Sequence, residues 1–106
     1  MASFHVHLYF TAETCDSARR LRDQLAETFA LAPDAMHWSN PPGGPHLVPN
    51  IQITVAATQV GGILDWLMLH RGQHPVLLHR LGEHAAANHS DRAMWLGEPQ
   101  PLKISA

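Results

Sequence analysis

The chain has 106 residues, 45% of them hydrophobic, enough for one modest core and hence a single expected domain over residues 1–106. A formal charge of −2, with only seven Lys plus Arg, leaves no basic stripe, so nucleic acid is not an expected partner. The lone Cys15 rules out an internal disulfide, no apolar run approaches membrane-spanning length, and Met-Ala-Ser-Phe-His lacks signal-peptide features; a soluble cytoplasmic protein with no membrane partner is expected.

The first predicted element is a strand over Phe4–Phe10. Successive side chains of a strand face opposite ways, so Phe4, Val6, Leu8 and Phe10 line one side and His5, His7 and Tyr9 the other. The first set is core material. The second puts two imidazoles roughly 7 Å apart on a polar, aromatic surface. Such a pair can converge on one metal ion, or one can bind while the other orients a substrate. It also fits two ordinary histidines on a half-exposed face.

Thr14 is the expected N-cap of a first helix, with Ala18, Leu21, Leu25 and Phe29 at helical spacing and Pro33 ending it. Ala35 to Ser39 reads as a short edge strand carrying His37 and Trp38. The Pro- and Gly-rich run from Asn40 to Pro49 is a stiff loop that presents His46. Asn50–Val55 alternates again, with Ile51, Ile53 and Val55 inward and Asn50, Gln52 and Thr54 on the opposite face. A second helix is expected from Thr58, with a stripe of Val60, Ile63, Leu64, Leu67 and Arg71 and a stop at Gly72. Trp66 and Leu69 fall off that stripe. Pro75 to His79 reads as a fourth strand, with Val76 and Leu78 towards the helices and Leu77 and His79 towards the face of His5 and His7. From Arg80 to Gly97 an irregular segment with His84 and His89 is expected, followed by a short added strand over Leu102 to Ile104.

The order β-α-β-β-α-β predicts an α+β, ferredoxin-like sandwich: an antiparallel sheet with two helices on one face and the other free. The strand order 4-1-3-2 of that pattern lays the fourth strand against the first, so His79 should approach His5 and His7. Three imidazoles there form an open three-ligand metal site. His46 joins them only if its loop folds across the face, or if it comes from a second subunit. The position of His89 is not fixed by pattern. His37, His70, His74 and His84 read as solvent-facing or packing residues.

Six segments occur in an order that resembles the DOPA 4,5-dioxygenase family: His5-Val6-His7-Leu8-Tyr9-Phe10, Gly44-Pro45-His46, Trp66 to Gly72, Val76-Leu77-Leu78-His79, Asn88-His89-Ser90-Asp91 and Trp95-Leu96-Gly97. The resemblance covers nearly the whole chain. It implies a small ferredoxin-like protein that opens a catechol ring with a non-haem Fe(II), a metal site built from His5, His7, His46 and His79, and His89 as an acid/base or substrate-binding group. Zinc is a second metal such a site accepts. The chain departs from the family pattern at Arg80, where Pro is common, at Asn88, where Asp is usual, and at Arg92, often His. The turn after His79 is shortened to Leu81-Gly82. The lost carboxylate removes an orienting partner for His89, and the two arginines bring positive charge to the mouth.

The expected activity is therefore extradiol-type cleavage of a catechol, DOPA or a related compound, with O₂. His89 would take and return a catechol proton, and Tyr9 would donate a hydrogen bond from the same face. The alternative is a non-catalytic ferredoxin-like module, dimeric and holding a metal or small ligand on its free face. A homodimer is expected either way, because the free face, Trp66 and Leu69 are apolar surface that monomers seldom expose.

Overall fold

In the computed structural model, which describes residues 3–103, the alternating segment forms β1 (Ser3–Tyr9), the middle strand of a five-stranded sheet. Helix α1 (Cys15–Phe29) follows, then a 3₁₀ turn (Pro33–Ala35) and β2 (Met36–Ser39). Strand β3 (Asn50–Ala56) runs directly into α2 (Ala57–His70), and β4 (Val76–Arg80) returns beside β1. The chain closes with a short helix α3 (Ala85–Asn88) and β5 (Ala93–Leu96). The sheet order is β2-β3-β1-β4-β5, and every neighbouring pair is antiparallel. This is the expected α+β, ferredoxin-like arrangement, extended by one strand.

Alternation accounts for the core. Val6 and Leu8 of β1, Ile51, Ile53 and Val55 of β3, and Val76 and Leu78 of β4 project to one face. Ala18, Leu21 and Leu25 of α1 and Ile63 and Leu67 of α2 cover them. Each fully buried aliphatic side chain there contributes roughly 1.5–3 kcal/mol. Helix α1 ends on Ala30 in the left-handed conformation, with the Leu31 N–H donating to the Ala26 carbonyl. Thr14 does not cap α1 through its side chain; its hydroxyl oxygen instead accepts from the Thr11 N–H at 2.8 Å. Helix α2 starts one residue before the expected Thr58, and Gly72 (φ +59°) follows its end.

Three regions differ from the sequence reading. Residues 80–97 are irregular only in part, because Ala85–Asn88 form a helical turn and Ala93-Met94-Trp95-Leu96 pairs with β4. Four alternating residues are too short a run to be separated from a loop by period alone. Trp66 is not a free surface residue: its ring meets Phe29 edge-on at 6.5 Å, and it packs against the edge of the core. The exposed apolar residues of α2 are Met68 and Leu69, 61% and 75% accessible. Of the strand expected at Leu102 to Ile104, Leu102 forms a single antiparallel bridge with His46, and Ile104 lies outside the described residues.

The second sheet face is not open along its length. Tyr9 and Leu77 are both buried. Trp95, opposite Leu77 in the register, lies on the same face and stacks on Tyr9 at 5.6 Å. The loop of residues 40–49 also crosses this face, tied down by the Lys103 N–H donating to the Pro45 carbonyl. What stays accessible is a cavity of about 350 Å³ over the histidines.

Candidate metal centre

Strand register brings the first three histidines together. His5 lies directly across from His79, and His7 lies across from Leu77, one step along the same face. The His79 ring centroid is 5.4 Å from that of His5 and 5.1 Å from that of His7. His46 reaches the group within the same chain, because its loop folds over the face and sets its ring 4.1 Å from His7. Left-handed Gly44 (φ +57°) gives that loop the turn it needs two residues before His46. His89 follows the one-turn helix α3 directly, with its ring 4.0 Å from that of His79 and 5.5 Å from that of His46.

Two three-histidine groupings result, sharing His7. One nitrogen from each of His5, His7 and His79 lies within 4.8 Å of the others, and the same holds for His7, His46 and His89. His7 and His79 are 1% and 3% exposed, and His46 is buried as well.

Hydrogen bonds determine where each ring's lone pair points. The Asn50 amide nitrogen donates to the Val48 carbonyl, which turns its Oδ1 towards His7. His7 Nδ1–H therefore donates to Asn50 Oδ1 at 2.9 Å, leaving Nε2 as an acceptor. His79 Nδ1–H donates to the Arg80 carbonyl at 2.9 Å, leaving its Nε2 as an acceptor too. These two Nε2 atoms face each other 3.0 Å apart. With both outer nitrogens protonated, that contact is not a hydrogen bond but a meeting of two lone pairs. Moving a proton onto either Nε2 only transfers the mismatch to the Asn50 or Arg80 oxygen.

A shared proton is disfavoured as well. Burial, and then the nearby His46, push the pKa of His7 down to about 2. Burial likewise lowers His79 to about 4, against the raising effect of its bond to the Arg80 carbonyl. His46 is lowered to about 4 by burial and by His89, and His5 is lowered for the same two reasons. Converging lone pairs on rings held neutral are the donor arrangement of a divalent cation. Adjacent ligands around a metal at about 2.1 Å are about 3.0–3.4 Å apart, which the His7–His79 separation satisfies. The residues present therefore fit a metal ion.

The outer contacts resemble those that orient metal-bound imidazoles. Tyr9 Oη lies 2.7 Å from His46 Nδ1. Burial raises the Tyr9 pKa, so the hydroxyl keeps its proton and serves either imidazole tautomer. His89 Nδ1–H donates to the Ala85 carbonyl at 2.8 Å, which turns its Nε2 lone pair outward from α3. Asn88 is buried, its amide nitrogen donating to the Glu83 carbonyl while its Oδ1 has no donor among the described residues.

The cavity also holds residues that sequence reasoning passed over. Asn50, placed on this face by alternation, was given no role, yet it sets the orientation of His7. His37, read as solvent-facing or packing, is exposed and stands on the cavity wall with Ser39 and Gln52. Its position opposite Gln52 in the β2–β3 register was the available signal. Arg80 lines the cavity and Arg92 does not. His74 is a packing residue: its Nδ1–H donates to the Tyr9 carbonyl at 3.0 Å and its Nε2 accepts from the Ser17 hydroxyl at 2.8 Å.

A model of the Dopa 4,5-dioxygenase family matches residues 4–106. An uncharacterised 21.2 kDa protein of Botryotinia fuckeliana is 30% identical over 114 residues, which cover 97% of this chain and 62% of that protein. The chain thus spans less than two thirds of the length of this relative. The crystal structure of a proposed dioxygenase from Nostoc punctiforme is similar with a TM-score of 0.84 and 32% identity, over 98% of this chain and 89% of that one.

Proposed function

Because the chain belongs to the Dopa 4,5-dioxygenase family, we propose that its histidine cavity holds a ferrous ion and performs extradiol-type ring cleavage of a catechol by O₂. The observation that carries this reading is the 3.0 Å approach of the His7 and His79 Nε2 lone pairs on a buried, neutral pair of rings. These two would be the central ligands, with His5 and His46 the candidates that complete the set. Among the described residues no carboxylate lines the cavity, so the donor set they offer is all imidazole instead of two histidines and a carboxylate. Such a set also accepts zinc.

A bound ferrous ion would supply Lewis acidity towards the catechol oxygens and the one-electron chemistry that O₂ requires. The chain's own residues do the rest. Asn50 and the Arg80 carbonyl hold the His7 and His79 rings in one tautomer. Tyr9 orients His46 and keeps its own proton. His89, with Nδ1 committed to the Ala85 carbonyl, has Nε2 free to take a proton from a catechol hydroxyl and return it to the product. The cavity volume of about 350 Å³ suits one aromatic ring with a short side chain. We further propose a cytoplasmic homodimer, associating through the exposed Met68 and Leu69 of α2.

Anaerobic loading with Fe(II), followed by oxygen-uptake assays on a panel of catechols, tests the activity. Oxygen consumption that depends on substrate and yields a new yellow chromophore supports it. Stoichiometric zinc binding with no uptake from the iron-loaded protein would establish the non-catalytic module instead. His89→Ala should retain metal and lose turnover; loss of metal in that variant would make His89 a ligand.

A further inference from the structure

We propose that Gln52 and His37 form a hydrogen-bonding subsite that holds the side chain of the catechol, and that it recognises a neutral group able both to donate and to accept. The inference rests on the dioxygenase reading for the ring and on the register of the sheet for the subsite.

Strand pairing sets one row of side chains across the histidine face. His37 of β2 lies opposite Gln52 of β3, which lies opposite His7 of β1, and the row continues through Leu77 of β4 to Trp95 of β5. Residues paired across a sheet share a face, so all five project to the same side. The two halves of the row differ. Leu77 is fully buried, and neither it nor Trp95 borders the cavity, whereas Gln52 and His37 both do. A ring seated over His7 can therefore extend a substituent along this row in one direction only, towards β2. Neighbouring strands are about 4.8 Å apart, so Gln52 starts about 5 Å and His37 about 10 Å from His7. That is the reach of an aromatic ring with a short chain.

The chemistry of this end of the cavity is polar without being ionic. His37 is exposed and Gln52 half-buried, and neither takes part in the hydrogen bonds that orient the rings of His7, His46, His79 and His89. A carboxamide, like an imidazole with one ring proton, offers both a donor and an acceptor. Beside them the Ser39 hydroxyl oxygen accepts from the Gly43 N–H at 3.2 Å and keeps its own proton to donate. Among the described residues no Asp, Glu or Lys lines the cavity. Arg80 lies opposite Phe4 in the register, so alternation sends its side chain to the helix face and leaves only its backbone at the cavity. A charged substituent would meet no counter-charge on these walls. A neutral polar one meets a complementary donor and acceptor.

The test compares two neutral catechols of matched size and shape, dihydrocaffeamide and isopentylcatechol, with the anionic dihydrocaffeate beside them. Affinities are measured by calorimetry on the zinc-loaded full chain, where no oxidation intervenes. Dihydrocaffeamide should bind about tenfold more tightly than isopentylcatechol, and at least as tightly as dihydrocaffeate. Gln52→Leu should bring the amide-to-isopentyl ratio near one and His37→Phe should reduce it, with zinc content per chain unchanged in both. A ratio near one in the unaltered protein, a ratio that survives both substitutions, tighter binding of dihydrocaffeate, or no binding by any would overturn the proposal. Loss of zinc in either variant would place that residue in the metal site and overturn it as well. Oxygen uptake by the iron-loaded protein separates the two readings. The predicted ratio without any uptake leaves the subsite standing and removes the dioxygenase; uptake with a ratio near one does the reverse.

Discussion

The two faces of the sheet are built from the same strands and obey different rules. On the helix side, Val6, Leu8, Ile51 and Ile53 meet other aliphatic groups, and any residue of similar volume and shape would serve nearly as well. On the other side, His7 and Tyr9 are equally buried, yet each depends on one particular partner: Asn50 for the first, His46 for the second. One residue of β1 separates the two regimes. The helix face holds the molecule together through the sum of many exchangeable contacts. The histidine face instead places a few donors that cannot be exchanged, and it leaves two lone pairs directed at each other, an arrangement that a bound cation would resolve.

If that division is real, substitutions on the two faces should fail in different ways. The largest effect is expected from His7→Ala and His79→Ala. Each would remove one of about three proposed ligands, so metal affinity should fall by more than the roughly 10–100-fold seen when only an orienting partner is lost. Metal content per chain after identical reconstitution measures this, with His84→Ala as the control. Full retention in both variants would dismiss the site. Ile53→Ala should instead cost about 2–5 kcal/mol in denaturant unfolding, while the folded fraction keeps its metal stoichiometry.

A pH titration cuts between the faces next. The His7, His46 and His79 pKa values all lie below the ordinary value of 6.5. Below pH 6.5 the unfolded chain binds protons that the folded chain refuses, so this contribution is complete above that pH and is lost as pH falls towards 4. Without metal, the protein should lose on the order of a few kcal/mol between pH 7.5 and 5, read from denaturation midpoints. Ile53→Ala should keep that slope and His7→Ala should flatten it. A slope equal in both variants would show that the histidines are not the groups responsible. The smallest effect on the fold belongs to Leu69→Lys. As an exposed residue it should change monomer stability by less than about 0.5 kcal/mol. It should nonetheless shift a proposed dimer to monomer in sedimentation at micromolar concentration.

The sequence made the helix face legible because alternation and helical spacing are repeated signals. Phe4 to Phe10, Asn50 to Val55 and the α1 stripe each carry several residues of one period. The histidine face was legible only where it shared that period, so His5, His7 and His79 could be set side by side from register alone. His46 and His89 could not, because a loop and a one-turn helix have no period to read. Their positions depend on tertiary ties such as the His46–Leu102 bridge. Asn50 was visible as a residue, but its role emerges only from the direction of a hydrogen bond. The fifth strand was hidden by its brevity, and its Trp95 closes part of the face that was expected to stay free.

The histidine pair at the middle of the site also has a meaning for the chain as a polymer. His7 and His79 are separated by 72 positions in sequence and meet only when the first and fourth strands are side by side. An ion gripping both would close a long loop with a reversible bond. By the chain-entropy argument used for disulfides, a loop of that length restricts the unfolded ensemble by about 4 kcal/mol. In a chain that has one cysteine and so no disulfide of its own, the proposed ion would double as the cross-link, and a chelator would loosen the whole fold along with the histidine site.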